Sequence, residues 1–231
     1  MTIQFTAFRW APPFAQGWVR DLRIRWALEE AGLPYEVILI DGDTEGYRQW
    51  QPFGQVPAYR DDEVEMFESG AIVLRLAAKS EALAPRDEAG LARVSTWIFA
   101  ALNSIEPQAQ NLVQLDGFYA GEAWTEGRRP SAQANLDARL TSLSNALGDK
   151  DYLEGRFTAG DILMATVLRE LEACGALKKF PNLDAYRARC LARPAFAKAL
   201  LAGASPAVPA AETEISPARA AALAAYTRLS R

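Results

Sequence analysis

The residues best suited to chemistry lie in two short segments, Gly54-Gln55-Val56-Pro57 and Phe67-Glu68-Ser69-Gly70-Ala71-Ile72. In the first, a proline entering a strand cannot donate to the ladder, so it marks a turn or an edge. In trans it makes an ordinary X-Pro turn. In cis it makes a tight turn and leaves the amide and carbonyl of Val56 facing outward, free to pair with an extended peptide. In the second, Ser69 is placed to N-cap an apolar helix, a role that needs no ligand. Free amides at a helix start also attract a carboxylate, and the adjacent Glu68 suits an ammonium group. Side by side these groups fit an α-amino acid head, which carries both charges on one carbon.

What is missing is equally specific. The 231 residues contain no histidine and two cysteines, Cys174 and Cys190. This excludes Ser-His-Asp and Cys-His machinery, a histidine proton shuttle and histidine metal ligands. Two cysteines make neither a structural zinc site nor a secreted disulfide framework, and both are expected to pack as small apolar residues. With 25 Lys and Arg against 29 Asp and Glu, a net charge of −4, the balance argues against a general nucleic-acid coat, which would need a basic face. Met1 to Phe5 lacks the pattern of a secretory signal, and no apolar run reaches the roughly 18 residues of a spanning helix. The expectation is a cytoplasmic protein without a metal, binding neither membrane nor nucleic acid, whose reactive group arrives on a bound molecule.

The elements that must position these segments follow from periodicity. Ile3–Phe8 reads as a strand with Thr6 in its middle, and Arg9–Gly17 as a loop rich in Pro and Trp. Val19, Leu22, Ile24, Trp26 and Leu28 recur at helical spacing, closed by Gly32 and Pro34. Tyr35–Ile40 is a second strand, so the start is a βαβ unit with a parallel pair. A short helical stretch near Glu45–Trp50 leads to strands around Val56–Arg60 and Val64–Phe67, joined by the acidic turn Asp61-Asp62-Glu63; the helix from Ser69 follows. Residues 80–88 read as a linker. Beyond it the chain is helical: 91–102, a helix carrying Leu136, Leu140, Leu143 and Leu147, then 162–171, 183–191 and 195–201. The fold class is α/β followed by all-α: a domain at 1–80, a helical domain at 88–203, and a Pro/Ala-rich tail at 204–231 that can end in a helix.

Taken in order, Pro52-Phe53-Gly54-Gln55-Val56-Pro57-Ala58, Phe67-Glu68-Ser69-Gly70-Ala71-Ile72 and Phe157-Thr158-Ala159-Gly160-Asp161-Ile162 resemble the soluble glutathione S-transferase superfamily, as a bacterial-like member of no assigned class. The resemblance covers roughly residues 3–201. It implies a thioredoxin-like first domain, glutathione as co-substrate, a small electrophilic partner, a homodimer and a detoxifying role. It also implies a cis bond before Pro57, backbone pairing of Val56 with the cysteinyl unit, a contact from Gln55, and a γ-glutamyl head held by Glu68 and Ser69. Thr158 and Asp161 match the family's buried capping box, which serves folding.

The family places a Tyr, Ser or Cys near the end of the first strand to steady the glutathione thiolate. This sequence has none between Ala7 and Arg20. Three substitutes stand open: the guanidinium of Arg9, favoured because a cation lowers a thiol pKa, the amide of Gln16, and backbone amides near Gly17. A solvated loop arginine accounts for Arg9 equally well. Trp10, Phe14, Trp18 and Phe99 are expected to line an apolar co-substrate pocket between the domains, with Trp97, Phe118, Tyr119 and Trp124 as further candidates. Arg20, Arg23 and Arg25 read best as a solvated helix face. The reading is a glutathione S-transferase acting on small apolar electrophiles; the alternatives are a non-catalytic binding module of the same fold and a glutathione-dependent peroxide or disulfide reductase.

Overall fold

The computed structural model describes residues 2–41 and 46–203. The tail at 204–231 with its expected helix, and Glu45, lie outside the described residues. Four strands, β1 (Ile3–Phe8), β2 (Tyr35–Ile40), β3 (Ala58–Arg60) and β4 (Glu65–Phe67), form one sheet in the order β2-β1-β3-β4. β1 and β2 are parallel, with Ile3 opposite Tyr35 and Phe8 opposite Ile40. A parallel pair needs a crossover, and helix α1 (Asp21–Ala31) supplies it. β3 runs antiparallel to both β1 and β4, and α2 (Ser69–Lys79) returns across the sheet. This is the thioredoxin-like arrangement. Ile3 and Phe5 are fully buried in one core with Trp26, Leu28, Ile72 and Leu76.

Local chemistry explains the boundaries. α1 stops where Gly32 takes a left-handed conformation (φ 64°), its amide and that of Leu33 closing onto Glu29 and Leu28. The helix starts at Asp21, two residues later than the apolar spacing from Val19 suggests. At α2 the expectation for Ser69 is corrected. Glu68, not Ser69, is the cap residue, and the Glu68 carbonyl accepts from Ile72 N–H at 3.0 Å. Glu68 has φ 71° and ψ 114°, a region that costs a non-glycine residue about 1–3 kcal/mol.

The second half comprises α3 (Glu88–Phe99), α4 (Glu106–Asp116), α5 (Ala123–Leu147), α6 (Ala159–Glu170), α7 (Pro181–Leu191) and α8 (Pro194–Ala202). The four leucines at 136, 140, 143 and 147 are all buried on α5. The expected helix 91–102 starts instead at Glu88, where the Asp87 carboxylate caps Gly90 N–H, and it runs through a π segment, Ala100–Ile105, into α4. Pro107 gives the reason. In a regular helix its ring presses on the carbonyl four residues back and its missing N–H leaves a gap. The widened turn, in which Glu106 N–H bonds the Ala101 carbonyl, accommodates it.

The capping box is as expected. The Asp161 carboxylate accepts from Thr158 N–H (2.8 Å) and Thr158 Oγ1 (3.0 Å), and also from Leu153 N–H and the Tyr186 hydroxyl. Cys190 is buried and Cys174 half-buried; burial pushes both thiols above the ordinary range. No helix among the described residues is long and apolar enough to cross a membrane.

Candidate functional site

The two halves meet along a cleft of about 370 Å³, within the range of small-molecule sites, roughly 300–1,000 Å³. Its walls come from four places. The turn before β3 supplies Gln51, Gln55, Val56 and Pro57; the start of α2 supplies Glu68, Ser69, Gly70 and Ala71. Arg20 just before α1 and Arg23 within it, and Phe99, Leu102, Asn103 and Glu106 around the π segment, close it. All five residues expected to hold a peptide are therefore brought together on one cleft.

The Val56–Pro57 bond is cis. The sheet ladder ends at Ala58, so the amide and carbonyl of Val56 lie outside it. A buried relay fixes this turn. Ala58 N–H donates to Thr6 Oγ1 (2.8 Å), Thr6 Oγ1 lies 2.7 Å from Tyr47 Oη, and Tyr47 Oη donates to the Gln55 carbonyl (2.7 Å). Tyr47 has one hydroxyl proton and gives it to Gln55, so the Thr6 hydroxyl must be the donor to Tyr47. The Gln51 side-chain oxygen accepts from the amides of Phe53 and Gln55, holding the same loop from below. Sequence reasoning missed Tyr47 and Gln51: Tyr47 joins Thr6 of β1 to the Gln55 carbonyl, and Gln51 holds loop amides that no periodicity marks.

At the other end Ser69 is buried, and its Oγ accepts from Arg23 Nη1 at 3.3 Å. Glu68 and Gln55 are exposed at the rim. A Cβ at Gly70 would meet the tip of the Leu102 side chain, so the glycine leaves room for that side chain between α2 and the π segment. The expectation of a solvated arginine face on α1 is corrected. Arg23 and Arg25 are 3% and 4% exposed: Arg23 bonds Glu106 of α4 and Arg25 bonds Asp21 and the Ala202 carbonyl. Helices of the second half cover that face, and the arginines carry polar contacts across the junction.

The groups expected to steady a thiolate lie elsewhere. The Arg9 guanidinium is exposed and paired with Asp41 at 2.9 Å, and the Gln16 amide donates to the Ala11 carbonyl at 3.1 Å. Neither lines the cleft. Of the four aromatics expected for a co-substrate pocket, Phe99 is on the cleft wall, 54% exposed. Phe14 meets Phe118 edge-on, ring centroids 6.5 Å apart, where the first-half loop touches the second half. Trp18 lies under the Arg169 guanidinium at 3.9 Å, Trp10 is half-buried outside the cleft wall, and Trp97 donates to Glu154 and packs on Gly160. Among the described residues no group of three or more His, Cys, Asp and Glu side chains is arranged to hold a metal.

Comparison with known proteins gives a consistent picture. The sequence profile of the glutathione S-transferase N-terminal domain matches residues 22–84. A glutathione S-transferase of Hyoscyamus muticus is 28% identical over 194 residues, covering 78% of this chain and 92% of that protein. Glutathione S-transferase 3 of Zea mays is 29% identical over 201 residues, covering 78% and 88%. Among solved structures, a glutathione transferase of Burkholderia graminis, with two glutathione molecules bound per subunit, superposes with a TM-score of 0.75 at 25% identity, covering 86% of this chain and 87% of that one. The Populus trichocarpa glutathione transferase F2 shares the fold, with a TM-score of 0.74 at 20% identity over 88% of this chain and all of that one.

Proposed function

We propose that the chain is a glutathione transferase of the soluble superfamily, whose cleft holds the tripeptide and presents the thiolate to small apolar electrophiles. Residues 1–80 supply the glutathione side and 88–203 the helical side. Val56 pairs its backbone with the cysteinyl unit, Gln55 contacts the tripeptide, Pro57 keeps the turn, and Glu68 with Ser69 receives the ammonium and carboxylate of the γ-glutamyl head. The observation that carries this is the joint placement of the Val56 edge and the Ser69 helix start on one cleft. A peptide edge and a zwitterion holder in that order fit a γ-glutamyl tripeptide.

In the transferase step the thiolate sulfur attacks the electrophilic carbon of the co-substrate, and the leaving group departs with the bonding pair. Binding both partners in one cleft contributes orientation. Phe99, on the cleft wall, offers apolar surface to the co-substrate. The protein works as a homodimer in the cytoplasm. A second reading, disulfide reduction by two glutathione molecules, is supported by the two glutathione molecules in the Burkholderia graminis relative.

The two are separated by assay. Glutathione conjugation to a chlorodinitrobenzene, followed by absorbance, is expected to be saturable in both substrates and to exceed reduction of a small organic disulfide. Disulfide reduction without conjugation would transfer the proposal to the second reading. Neither activity, with glutathione bound, would leave a binding module.

A further inference from the structure

Behind the Ser69 end of the cleft, side chains of α1, α4 and α6 form a buried charged cluster. Arg23 is its hub. Its Nε donates to Thr166 Oγ1 at 3.1 Å, its Nη1 to Ser69 Oγ at 3.3 Å, and its Nη2 to Glu106 Oε1 at 2.8 Å. The same Nη2 lies 3.9 Å from Glu170 Oε1. Arg20 Nη2 also reaches Glu106 Oε1, at 2.9 Å, and the Gln110 amide bonds Glu106 and reaches Glu170. One guanidinium thus touches the serine at the cleft while standing between two carboxylates, one held closely and the other loosely.

We infer that Glu170 is a positioning residue for the glutathione head group: protonated, it leaves Arg23 on Ser69; ionised, it draws the guanidinium toward α6. The inference rests on the reading of the cleft as the glutathione site. Charge balance gives it direction. With Glu170 neutral, Arg20 and Arg23 face one carboxylate, and the cluster presents a net positive charge to the place where the head-group carboxylate sits. With Glu170 ionised, the cluster is neutral and that attraction is lost.

Burial pushes the Glu170 carboxyl up to about 7; the Glu106 charge adds to this, and Arg23, Arg20 and Gln110 oppose it. Burial also acts to raise Glu106, but Arg23 and Arg20 at hydrogen-bond distance hold it below the ordinary value. Of the two carboxyls, one keeps its charge and the other changes near neutrality. Because bound carboxylate favours the protonated form of Glu170, binding takes up a proton.

The test titrates S-methylglutathione, whose sulfur cannot ionise, calorimetrically into the full chain from about pH 6 to about pH 8, in buffers of different ionisation enthalpy. Expected are proton uptake near neutrality and an affinity falling on the order of tenfold across the range, the factor that one unit of linked pKa displacement produces. Glu170→Gln fixes the neutral form; it should bind at the upper pH as tightly as the unaltered protein does at the lower, without uptake. Binding with neither proton uptake nor pH dependence in the unaltered protein overturns the inference, with no variant needed. So does a Glu170→Gln profile that matches the unaltered one. No binding at any pH overturns the reading of the cleft itself, and the inference with it.

Discussion

The Thr6–Tyr47 relay shows how single hydrogen bonds shape this cleft. Each proton in it has one destination: Ala58 N–H to Thr6, Thr6 to Tyr47, Tyr47 to the Gln55 carbonyl. Tyr47→Phe removes the middle of the chain and leaves a buried hydroxyl and a carbonyl short of a partner, which costs about 1–3 kcal/mol in denaturant unfolding. Thr6→Val breaks the same chain one step earlier. Because both remove one network, the double variant should cost less than the two losses added, and additive losses would show that the relay does not act as a unit. Thr6 was legible in the sequence as a mid-strand residue. Tyr47 was not, because its partners come from the middle of β1 and the turn before β3.

At the scale of elements, the β3–β4 turn is the clearest electrostatic device. Asp61 has a fully buried side chain and accepts from the amides of Glu63 and Val64, the Tyr59 hydroxyl, and Arg75 of α2 through Nε and Nη2. Burial alone acts to raise the carboxyl, but these donors hold it well below the ordinary 3.8. A depressed folded-state value means the stabilisation is complete above the unfolded value and is lost as pH falls through the folded one. Asp61→Asn should therefore destabilise the protein at neutral pH by an amount that shrinks below about pH 4, which thermal unfolding across pH reads directly. Equal destabilisation at all pH values would remove the charge from the explanation.

The elements also mark where sequence reading succeeds. The box at Thr158 and Asp161, the glycine stop at Gly32 and the leucine stripe of α5 are local, and all were legible. The arginines of α1 were misread because charge at helical spacing looks the same whether water or another helix covers it. The partner of Arg23, Glu106, lies 83 residues away. The π segment was equally hidden: Pro107 marks a disturbance in the helix, but not that the turn before it widens beside the cleft.

Across the whole molecule, α1 belongs to the sheet half by connection and to both halves by contact. Arg23 bonds α4, Arg25 bonds the end of α8, and Glu30 accepts from Nε and Nη2 of Arg193, at 2.6 and 2.7 Å. Trp26 packs between Phe157 and Phe196, at 5.9 and 4.9 Å. The halves therefore have few apolar surfaces of their own to expose separately, and calorimetric unfolding should give one transition; two resolved transitions would contradict this. The same junction forms the cleft, so the central claim concerns the molecule entire: the Val56 edge and the Ser69 helix start receive one tripeptide. Calorimetric titration of glutathione into the full chain and into Ser69→Ala tests it most directly. The expected result is saturable binding at one head-group site per chain and a loss of at least about tenfold in the variant, equivalent to ~1.4 kcal/mol. Absence of binding at millimolar glutathione, or equal affinity in the two proteins, would contradict it.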